Sequence, residues 1–156
     1  MTVELRPADL AAVRELRHLV LRPHQRPEDL VYEHDDDPDA LHLGVFEDGR
    51  LVAVASITRE PAPGSAEPDA WRIRGMATLP EHRSRRFGGR LLVACVDHAR
   101  SHGASMVWGN ARAQALAFYE RHGFTPARGP FNLPEIGPHY EVRLALGAPT
   151  RSRRGA

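Results

Sequence analysis

Arg83-Ser84-Arg85-Arg86-Phe87-Gly88 stands between an extended apolar run, Trp71 to Leu79, and a stretch with helical periodicity. In that stretch Leu91, Leu92, Cys95, Val96 and Ala99 recur at helical spacing. The three residue patterns together predict strand, turn and helix in direct succession. Such a turn points several backbone N–H groups, and the positive end of the helix dipole, at one spot that suits a phosphate or pyrophosphate. Arg83, Arg85 and Arg86 add charge able to pair with such a group. Gly88 leaves room for it, because a side chain there would hold the phosphates off the amides. Taken alone, the same residues also suit a solvated basic turn punctuated by Gly88 and Gly89.

Composition narrows the choice. A chain of 156 residues makes one domain with a core that needs no disulfide or metal. The net charge of +1 gives no electrostatic case for nucleic acid or an anionic membrane as the main partner. No apolar run reaches the ~20 residues that span a bilayer, and the N-terminus lacks the pattern of a signal peptide. The single cysteine fits a reducing compartment, so the cytoplasm is expected. All 21 basic side chains are arginine. Without lysine there is no Schiff base and no Walker-type phosphate lysine, so a phosphate must be held by amides and guanidinium groups.

Working outward from the loop, Met1 to Arg6 reads as a strand, followed by a helix with Leu10, Val13, Leu16, Leu19 and Val20 on one face. Glu28 to Tyr32 suggests a second short helix, and Asp35-Asp36-Asp37-Pro38 an acidic loop. Leu41 to Glu47 and Leu51 to Thr58 form a hairpin through Asp48-Gly49-Arg50. Past the basic loop, the helix from Gly88 to His102 ends at Gly103, and Ser105 to Asn110 is a short strand. A helix from Arg112 to His122 stops at Gly123, and strands follow at Phe124 to Arg128 and Tyr140 to Leu146. The expected fold is α/β: a mixed, mostly antiparallel sheet with helices on both faces. The domain is expected over residues 1–148, with a flexible tail over 149–156.

Three segments in order resemble the GNAT (Gcn5-related) N-acetyltransferase family. Arg83 to Gly88 resembles its acetyl-CoA loop, Arg/Gln-x-x-Gly-x-Gly/Ala, and is followed by the expected Leu91-Leu92. Gly75 to Pro80 resembles the strand end before that loop, and Phe118-Tyr119-Glu120-Arg121-His122-Gly123-Phe124 the family's late helix. Two positions depart from the pattern. Arg86 stands where the loop usually has glycine, and Asn110 lies nine residues before Tyr119 where the family's asparagine lies about seven before; Arg112 occupies that place.

The resemblance implies acetyl-CoA as co-substrate, no metal, and direct attack of an amine on the thioester. It implies splayed central strands whose free amides, at Met76 and Thr78, serve the cofactor. It assigns the pyrophosphate to Arg83, Ser84, Arg85, Arg86, Phe87, Gly88 and Gly89, and a further cofactor contact to Asn110. Tyr119 would be the general acid. The acceptor would be a small-molecule or peptidyl amine, in a cleft bordered by Pro23 to Asp37 and Gly137 to Tyr140. There His139 is a candidate base and Tyr140 a candidate substrate contact, beside a structural role for both. A non-catalytic acyl-CoA-binding sensor or scaffold is the alternative, and a homodimer is compatible with either.

Other reactive side chains read as structural. Cys95 lies on the apolar stripe of its helix. His98 and His102, at i and i+4, lack a third ligand within sequence reach.

Overall fold

The computed structural model describes residues 2–147; the tail expected over 149–156 lies outside the described residues. The chain opens with β1 (Val3–Pro7) and α1 (Leu10–Leu16), which passes into a π-helical turn, Arg17–Leu21. Strands β2 (Leu41–Glu47), β3 (Arg50–Arg59) and β4 (Ala70–Thr78) follow, then α2 (Phe87–Ser101), β5 (Met106–Arg112), α3 (Leu116–Arg121), β6 (Thr125–Leu133) and β7 (Gly137–Ala145). They form one seven-stranded sheet in the order β1-β2-β3-β4-β5-β7-β6. Among the described residues only β4 and β5 pair in parallel. This is the expected mixed, mostly antiparallel fold.

Local chemistry explains the main elements. Asp48 and Gly49 both take positive φ, 50° and 84°, and close the β2–β3 hairpin in two residues. Strand β3 is buried from Val52 to Thr58, as a central strand covered on both faces must be. Register shows which helix covers which face. Ser56 pairs with Arg74 and faces α1, where its hydroxyl accepts a hydrogen bond from Arg17 Nη2 at 2.9 Å. Ile57 pairs with Ile73 on the other face, where Trp71 also lies, its ring meeting His98 of α2 and His102 just past the helix end. The apolar stripe of α2 (Leu91, Leu92, Cys95, Val96 and Ala99) is buried against that face.

Four expectations need correction. The helix expected at Glu28 to Tyr32 is a single 3₁₀ turn, Pro27–Asp29. The chain leaves it because Asp35 Oδ2 captures the Tyr32 amide at 2.9 Å and turns the segment inward. Asp35 is therefore buried rather than part of a solvated acidic loop. The helix expected from Arg112 begins only at Leu116, because β5 continues pairing with β7 as far as Arg112↔His139. The strand expected at Phe124 to Arg128 runs on to Leu133 as the sheet's outer edge, where Pro126 and Pro130 are tolerated.

The π-helical turn also breaks the predicted helical stripe. Its extra residue shifts the phase of the side chains by about 100°. Leu19 is 59% exposed and Arg17 is wholly buried. Arg17 reaches Asp35 through Nη1 at 2.8 Å and Nη2 at 3.1 Å, and Nη1 also donates to the Leu30 carbonyl at 3.0 Å. His42 joins the cluster through the Ser56 hydroxyl and the Asp35 carbonyl. Burial by itself would raise the Asp35 pKa. The hydrogen bonds from Arg17 and the Tyr32 amide outweigh it and hold the carboxyl below the usual carboxylate range.

Asp35→Asn should cost about 3–5 kcal/mol in urea unfolding, because it leaves a buried guanidinium without its counter-charge. Joint replacement, Arg17→Met with Asp35→Leu, should cost less than that single change. Because the folded pKa lies below the unfolded one, the stabilisation from Asp35 is complete above about pH 4. It is lost as pH falls through the folded value. A flat stability profile between pH 5 and 2 would contradict the arrangement.

Candidate active site

The site begins where β4 and β5 part. Their ladder holds only Ala70↔Met106, Trp71↔Val107 and Arg72↔Trp108. At the fork, a Cβ on Gly109 would lie 2.8 Å from the Ile73 carbonyl oxygen, so glycine alone permits the last close approach. Beyond it, β4 carries a bulge: Val54 pairs with Ala77 and Ser56 with Arg74, leaving Gly75 and Met76 opposite Ala55. Gly75 takes φ +67° to make the bulge. The backbone of Met76 to Thr78 consequently runs along an open gap rather than against β5.

A 3₁₀ turn, Pro80–His82, then leads into the basic loop and α2. Ser84 (φ 66°) and Arg86 (φ 65°) both adopt the left-handed region. Arg86 is the N-cap residue of α2, and no side chain caps that end. The N–H groups of Phe87, Gly88 and Gly89 are among those a helix leaves without internal partners. Arg86 takes up, with a bulky side chain, the conformation that glycine adopts without strain, at a cost of order 1 kcal/mol.

Two cavities meet at this point. The larger, about 1110 Å³, is lined by Ser84, Arg86, Gly88 and Gly89 of the loop region and by Phe118 and His122. The smaller, about 610 Å³, lies in the fork and is lined by Met76, Asn110, Tyr119, Tyr32 and His139 among others. Thr78, Arg83, Gly88 and Phe118 border both, so the two form one groove across the sheet edge.

The structure gathers most of the sequence-predicted site residues on this groove. Met76, Thr78, Arg83, Ser84, Arg86, Phe87, Gly88, Gly89, Asn110, Tyr119 and His139 all line it. Asn110 Oδ1 is buried, and among the described residues it has no hydrogen-bond partner. Tyr119 donates its hydroxyl to Met76 Sδ at 3.3 Å. Burial, with Cys95 beside it, pushes the Tyr119 pKa up to about 12. His139 is buried and its Nδ1 donates to the Gly137 carbonyl at 2.9 Å, which leaves the lone pair on Nε2.

Two residues lie off the groove. Arg85 is ion-paired with Glu47 and stands over the Phe87 ring. Tyr140 follows His139 on a strand and so faces the opposite side. Cys95 is fully buried, and its thiol is pushed up to about 12 by that burial, so it is packing. His98 and His102 stack with each other against Trp71. Among the described residues no group of three or more His, Cys, Asp or Glu side chains could hold a metal ion.

Sequence spacing gave no signal for one feature. The Tyr32 ring lies between two guanidinium groups, Arg17 at 3.9 Å and Arg74 at 3.7 Å from its centroid. Arg17 is neutralised by Asp35, whereas burial and the neighbouring Arg72 lower the Arg74 pKa to about 10. Burial, then the nearness of Arg22 and Arg83, also lowers that of Arg112. These contacts join residues far apart in sequence.

Comparison with known proteins agrees with this geometry. The model of the Acetyltransferase (GNAT) family matches residues 10–124. The chain is 36% identical over 144 residues to the uncharacterized N-acetyltransferase YitI of Bacillus subtilis, covering 92% of this chain and 97% of that protein. In fold it is similar to Escherichia coli ElaA (TM-score 0.74, 20% identity, 92% of this chain and 99% of that one). It is likewise similar to yncA of Salmonella typhimurium, solved with its cofactor acetyl-CoA (TM-score 0.72, 20% identity, 97% and 99%).

Arg86→Gly should raise stability by about 1 kcal/mol in thermal or urea unfolding, since it relieves the left-handed strain. If the guanidinium also pairs with the cofactor phosphates, the same variant should bind CoA several-fold more weakly in calorimetry. A variant no more stable than the parent would show that the loop carries no strain at this residue.

Proposed function

Because the chain belongs to the GNAT acetyltransferase family, we propose that it moves the acetyl group of acetyl-CoA directly to the primary amine of a small molecule or peptide. The observation that carries this reading is the Tyr119 hydroxyl, buried in the fork of β4 and β5 and already donating to a sulfur atom. The groove residues suit the cofactor. Uncapped amides at the start of α2, with Arg83 and Arg86, would hold the pyrophosphate. Open backbone at Met76 and Thr78 and the unpartnered Asn110 Oδ1 would meet the amide-bearing arm.

In the reaction the amine nitrogen bonds to the thioester carbon, the C–S bond breaks, and CoA leaves with the electron pair. On this reading His139 Nε2 would accept the proton that the amine sheds, a role supported by the Nδ1 bond to the Gly137 carbonyl and by the residue's place on the fork cavity. Full proton transfer from Tyr119 to a simple thiolate of pKa ~8.5 would be uphill by about 3.5 units, or about 5 kcal/mol. Tyr119 therefore acts by hydrogen-bonding the leaving sulfur as charge develops, and solvent supplies the proton afterwards. Met76 Sδ is a weak acceptor that a thiolate readily replaces. Among the described residues no helix is long and apolar enough to cross a membrane.

Tyr119→Phe keeps the ring packing and removes only the hydroxyl. Its turnover number in a thiol-release assay should fall about 10²-fold with CoA affinity little changed. Turnover at the parental rate would leave Tyr119 as packing. Gly88→Trp tests the cofactor half separately. A Cβ at Gly88 meets only ordinary contacts, the nearest Phe118 Cζ at 3.7 Å, so a large side chain there projects into the groove. A folded variant should lose at least ten-fold in CoA affinity, and unchanged affinity would refute the loop assignment. His139→Gln should lower turnover and leave CoA affinity intact. Loss of both together would make the residue structural.

A further inference from the structure

We infer that the acceptor amine also carries an oxyanion group, a carboxylate or phosphate, recognised by arginines in the fork cavity. This rests on the acetyl-transfer reading and adds a substrate class to it. Five arginines line that cavity (Arg22, Arg72, Arg74, Arg83 and Arg112), and no Asp or Glu does among the described residues. Arg72 is answered by Glu60 at 3.0 Å. The other four have no carboxylate within ion-pair distance among the described residues.

Their other contacts orient them without neutralising them. Arg22 Nη1 and Arg112 Nη2 both donate to the Leu21 carbonyl, at 2.9 and 3.4 Å, which brings two guanidinium groups to one oxygen. Arg74 is spread on the Tyr32 ring, whose opposite contact is the neutralised Arg17. Arg83 belongs to the phosphate loop and borders both cavities, so the cofactor accounts for it. Arg22, Arg74 and Arg112 line only the fork cavity, where a thioester and its amide-bearing arm are uncharged and supply no anion. Like charges held together in a partly dehydrated space repel strongly, and a bound anion relieves that repulsion. Guanidinium forks also match carboxylate and phosphate oxygens two at a time.

The same charge distribution acts on the amine. A cationic field favours the neutral form of a nearby ammonium group, which is the form that attacks a thioester. It equally repels acceptors whose only charge is positive, such as polyamines and lysine-rich peptides. Cation exclusion and anion capture thus arise from the same guanidinium groups.

The test uses the full chain, saturated with CoA for binding and with acetyl-CoA for thiol release, and matched amine pairs: alanine and glutamate against their carboxamides, phosphoethanolamine against ethanolamine, with spermidine as the cation. In calorimetry, at least one anionic member should bind ten-fold or more tightly than its neutral partner, weakening as salt rises. Thiol release should follow the same order, with spermidine unreactive. Carboxylate and phosphate pairs identify which oxyanion is preferred. Arg74→Gln and Arg112→Gln should each remove most of this discrimination, with CoA affinity unchanged as the check on folding. Neutral members binding as well as anionic ones, preferred acetylation of spermidine, or discrimination intact in both variants would each overturn the inference. Tight binding of the anionic members without thiol release would support the anion site and refute the enzymatic reading, so the two failures are separable.

Discussion

Everything at the site depends on two parallel strands that pair for three residues and then separate. β4 and β5 lie together from Ala70 to Arg72 and from Met106 to Trp108. Past that point each strand remains committed to its outer neighbour, β4 to β3 and β5 to β7. The bulge at Gly75 turns β4 away, and Gly109 allows the last contact before the fork. Backbone groups that would be ladder partners in a closed sheet instead face a cavity, and a buried polar backbone group without a partner is costly. A ligand with amide groups of its own would satisfy them. The fold thus leaves a defect in its sheet that is open to such a ligand.

Charge is distributed around that defect with similar economy. Having no lysine, the chain meets every anion with guanidinium groups or amides. The wholly buried Arg17 is balanced by Asp35, and together with Tyr32 and Ser56 it ties the segment after α1 to the sheet. Gly75 lies beside this cluster, where a Cβ would come within 3.0 Å of Arg17 Nε. The bulge that opens the fork and the ion pair that anchors the neighbouring segment therefore share one space. Arg74, the β4 partner of Ser56 and stacked on the same Tyr32, extends this anchored layer into the cavity.

The reading from sequence succeeded where local physics decides. The Asp48-Gly49 hairpin, the apolar β3 strand and the stripe of α2 each follow from spacing and turn chemistry, and each is present. It failed where a long-range partner overrode local preference. Asp35 looked like part of a solvated acidic run, but Arg17, eighteen residues away, holds it inside. Leu19 looked like core until the π-helical turn shifted the phase of its helix. Arg112 looked like the start of a helix until pairing with β7 claimed it as strand.

The family resemblance, rather than spacing, pointed to the residues from Met76 to Tyr119 on the groove; by itself, the sequence determined the strand-turn-helix around Arg83 to Gly88 and the order of the main elements. Those features are encoded within a few turns or a few strand residues, where periodicity and glycine placement suffice. Only the tertiary structure decided that Arg86 adopts a left-handed conformation and that Arg85 turns to Glu47. It also decided that Tyr119 bonds a thioether, and that Arg22, Arg74 and Arg112 converge where no carboxylate lines the wall. Each of these depends on contacts between elements distant in the chain, and electrostatic balance within a cavity is a property of the assembled walls rather than of any segment.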